Sequence, residues 1–371
     1  MRGSISKRGK RSWRLKFDVE RVGGRRQIRY VTVKGTRKDA EAELARLVHE
    51  VNTGTLVDPS TITVGEWLHK WLAAQTLSPR AAETYAVVVG RLVSAIGTIP
   101  LQKLKPVHVH DMQLLKRDGT PVAPATARQA RRVLKAALQS ALDLELVHRN
   151  VGAIGKPPAA GKGKVDTLTA AEISRLLEAL KGSDLLTLAK LALSSGARRG
   201  ELLALRWSDI NLEASELHIE RTLERTTKHG VRFKPPKTDA GLRTISLPPS
   251  AVSLLRDHRK QQLELRMQFG LGKPDPDALV FCKYGGAPLD ADHLATRWRR
   301  AIAKIEGFPK ATLHWLRHTH CSALIAAGRD PVEVARRMGH SSPVVTMSIY
   351  AHAFRDKPDT TSADAIEKLL G

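Results

Sequence analysis

Three short segments of this chain concentrate arginine, histidine and tyrosine at spacings that could perform phosphoryl chemistry. The first is Ser194-Ser195-Gly196-Ala197-Arg198-Arg199-Gly200-Glu201 and the second is His314-Trp315-Leu316-Arg317-His318. The third is Gly339-His340-Ser341-Ser342-Pro343, followed by Tyr350-Ala351-His352. A tyrosine phenolate that attacks a phosphodiester conserves the bond energy in a covalent ester, so the diester can be re-formed without a high-energy cofactor. Such an attack spreads extra negative charge over the non-bridging oxygens, and two guanidiniums from opposite sides would stabilise it without metal. His314 and Arg317 lie three apart, on one face of a helix, where both can point at one phosphate. Each residue also has a plainer reading. Surface Arg and Lys are usually just solvated, and Tyr350, one turn from Thr346, could be an ordinary residue of an amphipathic helix. His314, His318, His320 and Cys321 could suggest a metal, but they crowd into one or two helical turns and lack a spaced second half, so none is expected.

These segments need elements to position them. Asp330 caps and Pro331 opens a helix that Gly339 ends, which puts His340 in the loop before the helix of Tyr350. The long region holding all three segments begins at Asp166, with a capping box formed by Thr169 and Glu172. Helices dominate it, while Glu216–Arg225 and Leu242–Leu247 are strand-like, with Lys234-Pro235-Pro236-Lys237 between them. Before it, Lys156–Lys164 carries Pro157-Pro158 and glycines around Lys162 and reads as a linker. Further upstream, the Thr63/Glu66 capping box opens four helical segments: Thr63–Ala74, Pro79–Ile96, Pro106–Lys116 and Ala125–Leu146. The last carries Arg128, Arg131, Arg132 and Lys135, which a solvated face explains as well as phosphate contacts do.

The N-terminal stretch has a different pattern. Trp13, Leu15, Phe17 and Val19 alternate with Arg14, Lys16 and Asp18, the period of a half-buried strand. Gly23-Gly24 makes a turn and Gln27 to Val33 a second strand; Thr36 then caps a helix with Asp39 at the third position. Apolar Ala40, Leu44, Leu47 and Val51 recur at helical spacing, and this small domain ends near Pro59. Alternation assigns Trp13, Leu15 and Phe17 to the helix-packed face and leaves Arg14, Lys16 and Arg29 on the opposite face.

Composition bounds the partners. The 371 residues exceed one typical domain. A net charge of +24 and a pI near 10.4 place nucleic acid first among partners, because only a polyanion relieves such self-repulsion. Residues 1–38 hold fourteen Lys or Arg against Asp18 and Glu20, which is half of the excess. No uncharged apolar stretch would span a bilayer and no cleavable signal pattern occurs, so a membrane partner is not expected. Cys282 and Cys321 cannot build a disulfide framework, which fits a reducing cytoplasm. With sixteen aromatics, gripping a duplex backbone is favoured over stacking single-strand bases. No Gly-x4-Gly-Lys-Ser/Thr loop points to ATP, and no carboxylate constellation points to two-metal transposition.

Taken in order, with a lysine between the first two, the three segments resemble the tyrosine recombinase family, the phage and mobile-element integrases. Ser195 stands where that family commonly has Thr before Gly-x-Arg, a conservative departure. The resemblance implies an α+β, multidomain fold: residues 1–59 an arm-type DNA-binding domain, 60–155 a helical core-type DNA-binding domain, 156–165 a linker and 166–371 the catalytic domain. It implies Tyr350 as nucleophile and Arg198 and Arg317 as the phosphate clamp. It gives His314 a proton-transfer role, His340 a hydrogen bond to the phosphate and Lys237 the protonation of the leaving 5′ oxygen, with Lys234 as runner-up. Glu201 orients its neighbours. Arg14, Lys16, Arg29, Arg128, Arg131 and Arg132 are the candidate DNA contacts. The implied partners are double-stranded attachment sites, a homotetramer on DNA exchanging strands through a four-way junction, and DNA-bending or directionality factors; no cofactor is implied. A type IB topoisomerase is the rival enzyme, and a DNA-binding regulator with a decayed site is the rival of another class. The segment Ser362–Leu370 reads as a short amphipathic helix that packs in cis or swaps to a neighbour.

Overall fold

The computed structural model describes residues 3–22, 25–53, 56–57, 60–155 and 166–355. The expected Gly23-Gly24 turn, the boundary at Pro59, the linker over 156–165 and the helix Ser362–Leu370 therefore lie outside the described residues. The chain divides into two compact units, residues 1–161 and 162–371.

The first unit begins with an antiparallel sheet of three strands in sequence order: β1 (Gly3–Gly9), β2 (Ser12–Val22) and β3 (Arg25–Lys34). Helix α1 (Arg37–Asn52) starts at Thr36, whose hydroxyl accepts from the Asp39 N–H while the Asp39 carboxylate takes the Thr36 N–H at 2.7 Å. Leu15 and Phe17 are buried with Ala40 and Leu47 between sheet and helix. Alternation exposed β2 and β3, whereas β1 was not expected, because Gly3–Gly9 has almost no apolar residue to alternate. Register corrects one residue. Phe17 pairs with Arg29, and Arg14 and Lys16 pair with Thr32 and Tyr30. Directly paired residues share a face, so Arg29 lies on the face of Phe17 and not with Arg14 and Lys16.

Four helices follow: α2 (Val64–Ala73), α3 (Pro79–Ile96), α4 (Pro106–Asp111) and α5 (Pro124–Asp143). Val64, Leu68, Leu92, Leu134 and Leu138 centre their core, and the Trp67 indole donates to the Ala137 carbonyl at 2.8 Å. The helix expected over Pro106–Lys116 stops at Asp111. Turn chemistry wins there: Asp118 accepts from the Thr120 N–H and hydroxyl, and Gly119 takes φ +78°, folding Leu114 back onto Val122.

The second unit packs helices around two small sheets. It runs α6 (Ala170–Ala179), α7 (Asp184–Ser195), α8 (Arg199–Ala204), β4 (Ile210–Asn211), β5 (Glu216–Ile219), β6 (Thr222–Thr226), β7 (Gly230–Lys234) and β8 (Arg243–Ser246). Helices α9 (Pro249–Gln268), α10 (Ala291–Ile302), α11 (Leu313–Ala326), α12 (Pro331–Met338) and α13 (Pro343–Arg355) complete it. Strands β4, β5 and β8 form one sheet and β6–β7 a hairpin. The single strand expected over Glu216–Arg225 is thus two strands, broken at Glu220-Arg221, where Arg221 leaves the ladder to bind Asp209 at 2.6 Å. The main core is built from α7, α8, β5, α9, α10 and the start of α11. A smaller cluster of Cys321, Ile325, Val334, Met338 and Tyr350 joins α11, α12 and α13.

Candidate active site

Gly196 makes the first turn of the site. It ends α7 in the left-handed region (φ +65°), and a Cβ there would lie 2.5 Å from the His320 ring. That turn delivers Arg198 to the N-cap of α8, with Glu201 at the third helical position. Glu201 accepts from the Arg198 backbone N–H and from its guanidinium, both at 2.8 Å. Its other neighbour is Arg243 on β8, which donates to it at 2.8 and 3.3 Å. Burial opposes ionisation of this carboxyl, but the hydrogen bonds and charge of Arg243, then those of Arg198, outweigh it and hold its pKa at about 2. Glu201 is therefore a buried anion locked between two guanidiniums.

Arg317, only 3% exposed, donates to the Gly196 and Met338 carbonyls at 2.6 Å each. Arg198 donates to the Gly339 carbonyl at 2.9 Å. Arg317 thus ties the turn after α7 to the end of α12, and Arg198, from the start of α8, holds the turn after α12. Burial and then the positive charge of Arg198 draw the Arg317 pKa down to about 10, still cationic at neutral pH. The Arg198 side chain is 41% exposed and opens the cationic site to solvent. Gly339 ends α12 at φ +63°, as its position after the Asp330-Pro331 start predicts.

Three histidines border the pair. His340 follows Gly339, and its Nδ1 lies 2.7 Å from the hydroxyl of Thr346, a fully buried side chain on α13. His314 and His318, one turn apart on α11, stack edge to face with ring centres 4.5 Å apart. Burial first, then neighbouring positive or histidine charge, pushes His314 downward and His318 and His340 to about 4. All three are neutral near pH 7. The Tyr350 hydroxyl lies 2.5 Å from His318 Nδ1, and the Tyr350 ring is 1% exposed. Burial raises the phenol pKa well above its ordinary value, with the Cys321 thiol adding to the rise. Helix α13 departs from helical geometry at Tyr350 itself (φ −111°, ψ 18°).

Arg198, Glu201, His314, Arg317, His340 and Tyr350 therefore come from distant segments to one centre. Lys237 stands differently: it is exposed, three residues beyond β7 in the connection to β8, rather than within a hairpin strand. Lys234 is ion-paired with Glu224. The histidine at the phenol is His318, not His314. Sequence reasoning had no signal for Arg243, a basic residue in a short strand, and saw Thr346 only as a helical neighbour of Tyr350. The rival metal reading does not assemble: His320 binds the Leu193 carbonyl and Arg337, and no metal-holding group of His, Cys, Asp or Glu occurs among the described residues.

Of the candidate DNA contacts, Arg14 and Lys16 lie on the sheet face away from α1, where the Arg14 guanidinium sits 4.2 Å from the centre of the Tyr30 ring. Arg29 lies on the other face. On α5, Arg132 is exposed and Arg128 half-buried, while Arg131 is tied to the Ile154 carbonyl. No helix among the described residues is long and apolar enough to cross a membrane.

Residues 166–357 match the model of the phage integrase family. The chain is 27% identical to a tyrosine recombinase XerC-like protein of Caldanaerobacter subterraneus subsp. tengcongensis, over 98% of both chains. It is 32% identical to the prophage integrase IntR of Escherichia coli over 53% of this chain and 49% of that one. The fold matches the Tn1549 transposon integrase in complex with circular intermediate DNA (TM-score 0.70, 20% identity, 83% of this chain and 99% of that one). It also matches the lambda integrase tetramer bound to a Holliday junction (TM-score 0.58, 19% identity, 89% and 92% covered). With more than half of its length matched by the family model and the site assembled within that match, the chain belongs to the phage integrase family, the tyrosine-type site-specific DNA recombinases.

Proposed function

We propose that this chain integrates or excises a mobile element by cutting double-stranded DNA at its attachment sites and rejoining it through a 3′-phosphotyrosyl intermediate on Tyr350. One observation carries the reading: the guanidiniums of Arg198 and Arg317 hold adjacent carbonyls of one loop, and the buried phenol of Tyr350 belongs to the helix that follows it. A phosphodiester at Arg198 meets preorganised cations whose positions are fixed by Glu201, Arg243 and the two glycine turns. As the phenol oxygen bonds to phosphorus, the 5′ oxygen leaves and takes a proton. Lys237, exposed on its loop, is the proposed donor. His340 donates to a non-bridging oxygen and His314 moves protons beside it.

The arrangement of the whole chain is part of this proposal. Residues 1–59 form the arm-type domain, 60–155 the core-type domain, 156–165 the linker and 166–371 the catalytic domain. The working species is a homotetramer on two sites, a reading supported by the lambda integrase tetramer on a Holliday junction, with DNA-bending or directionality factors as further partners in the host cytoplasm. The experiment is a nicked suicide substrate run on denaturing gels. Tyr350→Phe is expected to bind DNA like the parent and form no adduct, with an adduct of the parent mapping to the Tyr350 peptide. An adduct formed by Tyr350→Phe would move the nucleophile elsewhere. Relaxation of any supercoiled plasmid without attachment sites would favour a topoisomerase.

A further inference from the structure

Tyr350 needs to lose a proton when it attacks, and its environment makes that difficult. The ring is buried in an apolar cluster with Cys321, Ile325, Val334 and Met338, so water is a poor acceptor there. One basic nitrogen touches the hydroxyl: Nδ1 of His318, at 2.5 Å. His314 has no hydrogen bond to Tyr350 among the described residues and instead packs its ring against that of His318. We propose that His318 is a catalytic residue, the acceptor of the Tyr350 phenol proton during strand cleavage and its donor during strand rejoining.

The step balances. In cleavage the Tyr350 O–H proton moves to His318 Nδ1, the phenol oxygen bonds to phosphorus, and the bond from phosphorus to the 5′ oxygen breaks with that oxygen protonated. Rejoining reverses each transfer, and the imidazolium of His318 returns its proton to the phenol. The ring must start neutral, with its one hydrogen on Nε2. The charged and titratable groups facing it are His314, Arg317, His340, Tyr350 and Asp166. The two histidines and the arginine disfavour a second proton, and Asp166 favours it. A phosphodiester arriving at Arg198 and Arg317 neutralises part of the opposing charge, so His318 becomes more basic when substrate is bound. The acceptor is thereby coupled to DNA binding, and the free enzyme keeps its nucleophile protonated.

The proposal rests on Tyr350 as the nucleophile, which mapping of the adduct peptide tests separately. The full-length protein is compared as parent, His318→Ala, His318→Gln and His314→Ala in single-turnover cleavage of a suicide substrate, with thermal melts and DNA binding measured on each. General base catalysis contributes roughly 10²- to 10⁴-fold, so His318→Ala is expected to lose about that much. His318→Gln, which can hold the hydroxyl but not take its proton, is expected to lose nearly as much. Both losses should shrink as pH rises, tenfold per unit, because the variants depend on the phenolate fraction. A fluorinated, more acidic tyrosine at position 350 should restore His318→Ala. A 5′-bridging phosphorothiolate, which relieves only the leaving group, should restore Lys237→Ala and not His318→Ala. Parent-like cleavage by His318→Gln would reduce His318 to a positioning residue and overturn the proposal. So would a His318→Ala defect that neither pH nor fluorotyrosine relieves.

Discussion

Glu201 touches Arg198 of the phosphate clamp and Arg243 beside it, and its own chemistry dictates how it fails. Its carboxylate and the Arg243 guanidinium are almost fully buried, at 3% and 4% exposure. Removing one partner of a buried pair strands the other, at a cost of about 3–5 kcal/mol. Glu201→Gln is therefore expected to lower unfolding free energy by about that amount and to loosen Arg198, reducing cleavage as well. The pH dependence has a definite sign. The folded pKa of about 2 lies below the ordinary 4.5, so the stabilisation is present above pH 4.5 and lost as pH falls through about 2. Urea titrations between those pH values should show a steep acid limb in the parent that is flatter in Glu201→Gln. An unchanged limb would mean that Glu201 is not the ionised partner. Among single residues, the positions legible in sequence are those fixed by local geometry. Gly339 ends the helix that Asp330 and Pro331 begin, and helical spacing sets His314 beside Arg317. Arg243 was illegible because its partner Glu201 lies 42 residues away, on helix α8.

At the scale of elements, α13 is attached at two points, through Thr346 to His340 and through Tyr350 to His318. The two residues are four apart and face the same side, so the loop carrying His340 and the helix carrying the nucleophile move together. If Thr346 gives its hydroxyl proton to Nδ1, the ring hydrogen of His340 is left on Nε2, free to meet a non-bridging oxygen. Thr346→Val keeps the shape and deletes the hydroxyl. Cleavage should fall about tenfold, the worth of one hydrogen bond of about 1.4 kcal/mol. In a His340→Ala background the same substitution should change cleavage little, whereas a purely packing role would multiply the two losses. Thr346→Ser should recover most of the activity. Capping signals made four helices readable: Thr36, Thr63, Thr169 and Asp330 all cap as their sequence contexts predict. The failures came where pattern was weak. Strand β1 lacks apolar alternation, and α4 was overextended because the Asp118-Gly119 turn was passed over.

Over the whole molecule, half of the basic excess lies in residues 1–38, whose sheet has one face turned away from α1. Alternation made that face legible in β2, but the partner residues on β3 depend on register, which no spacing reveals; this is why Arg29 was assigned to the wrong side. The open face presents Arg14 and Lys16, with Tyr30 52% exposed beside them and Ile28 at its edge. Cations flanking an exposed aromatic and a β-branched side chain suit a major groove, where phosphates border thymine methyls and base edges. Each lysine or arginine that neutralises a phosphate releases counterions and adds about 0.9 to the log–log salt slope. The double variant Arg14→Ala/Lys16→Ala should therefore bind long attachment-site DNA with a slope lower by about 1.8. Arg29→Ala, on the helix-packed face, should leave it unchanged. Tyr30→Ala should weaken binding with no change in slope, because it removes contact and not charge. None of the three should alter cleavage of a short core-site suicide substrate, whose chemistry belongs to the second unit. The measurement is titration at several salt concentrations on long and short DNA. A slope that drops for Arg29→Ala and stays fixed for Arg14→Ala/Lys16→Ala would put the DNA on the opposite side of the sheet.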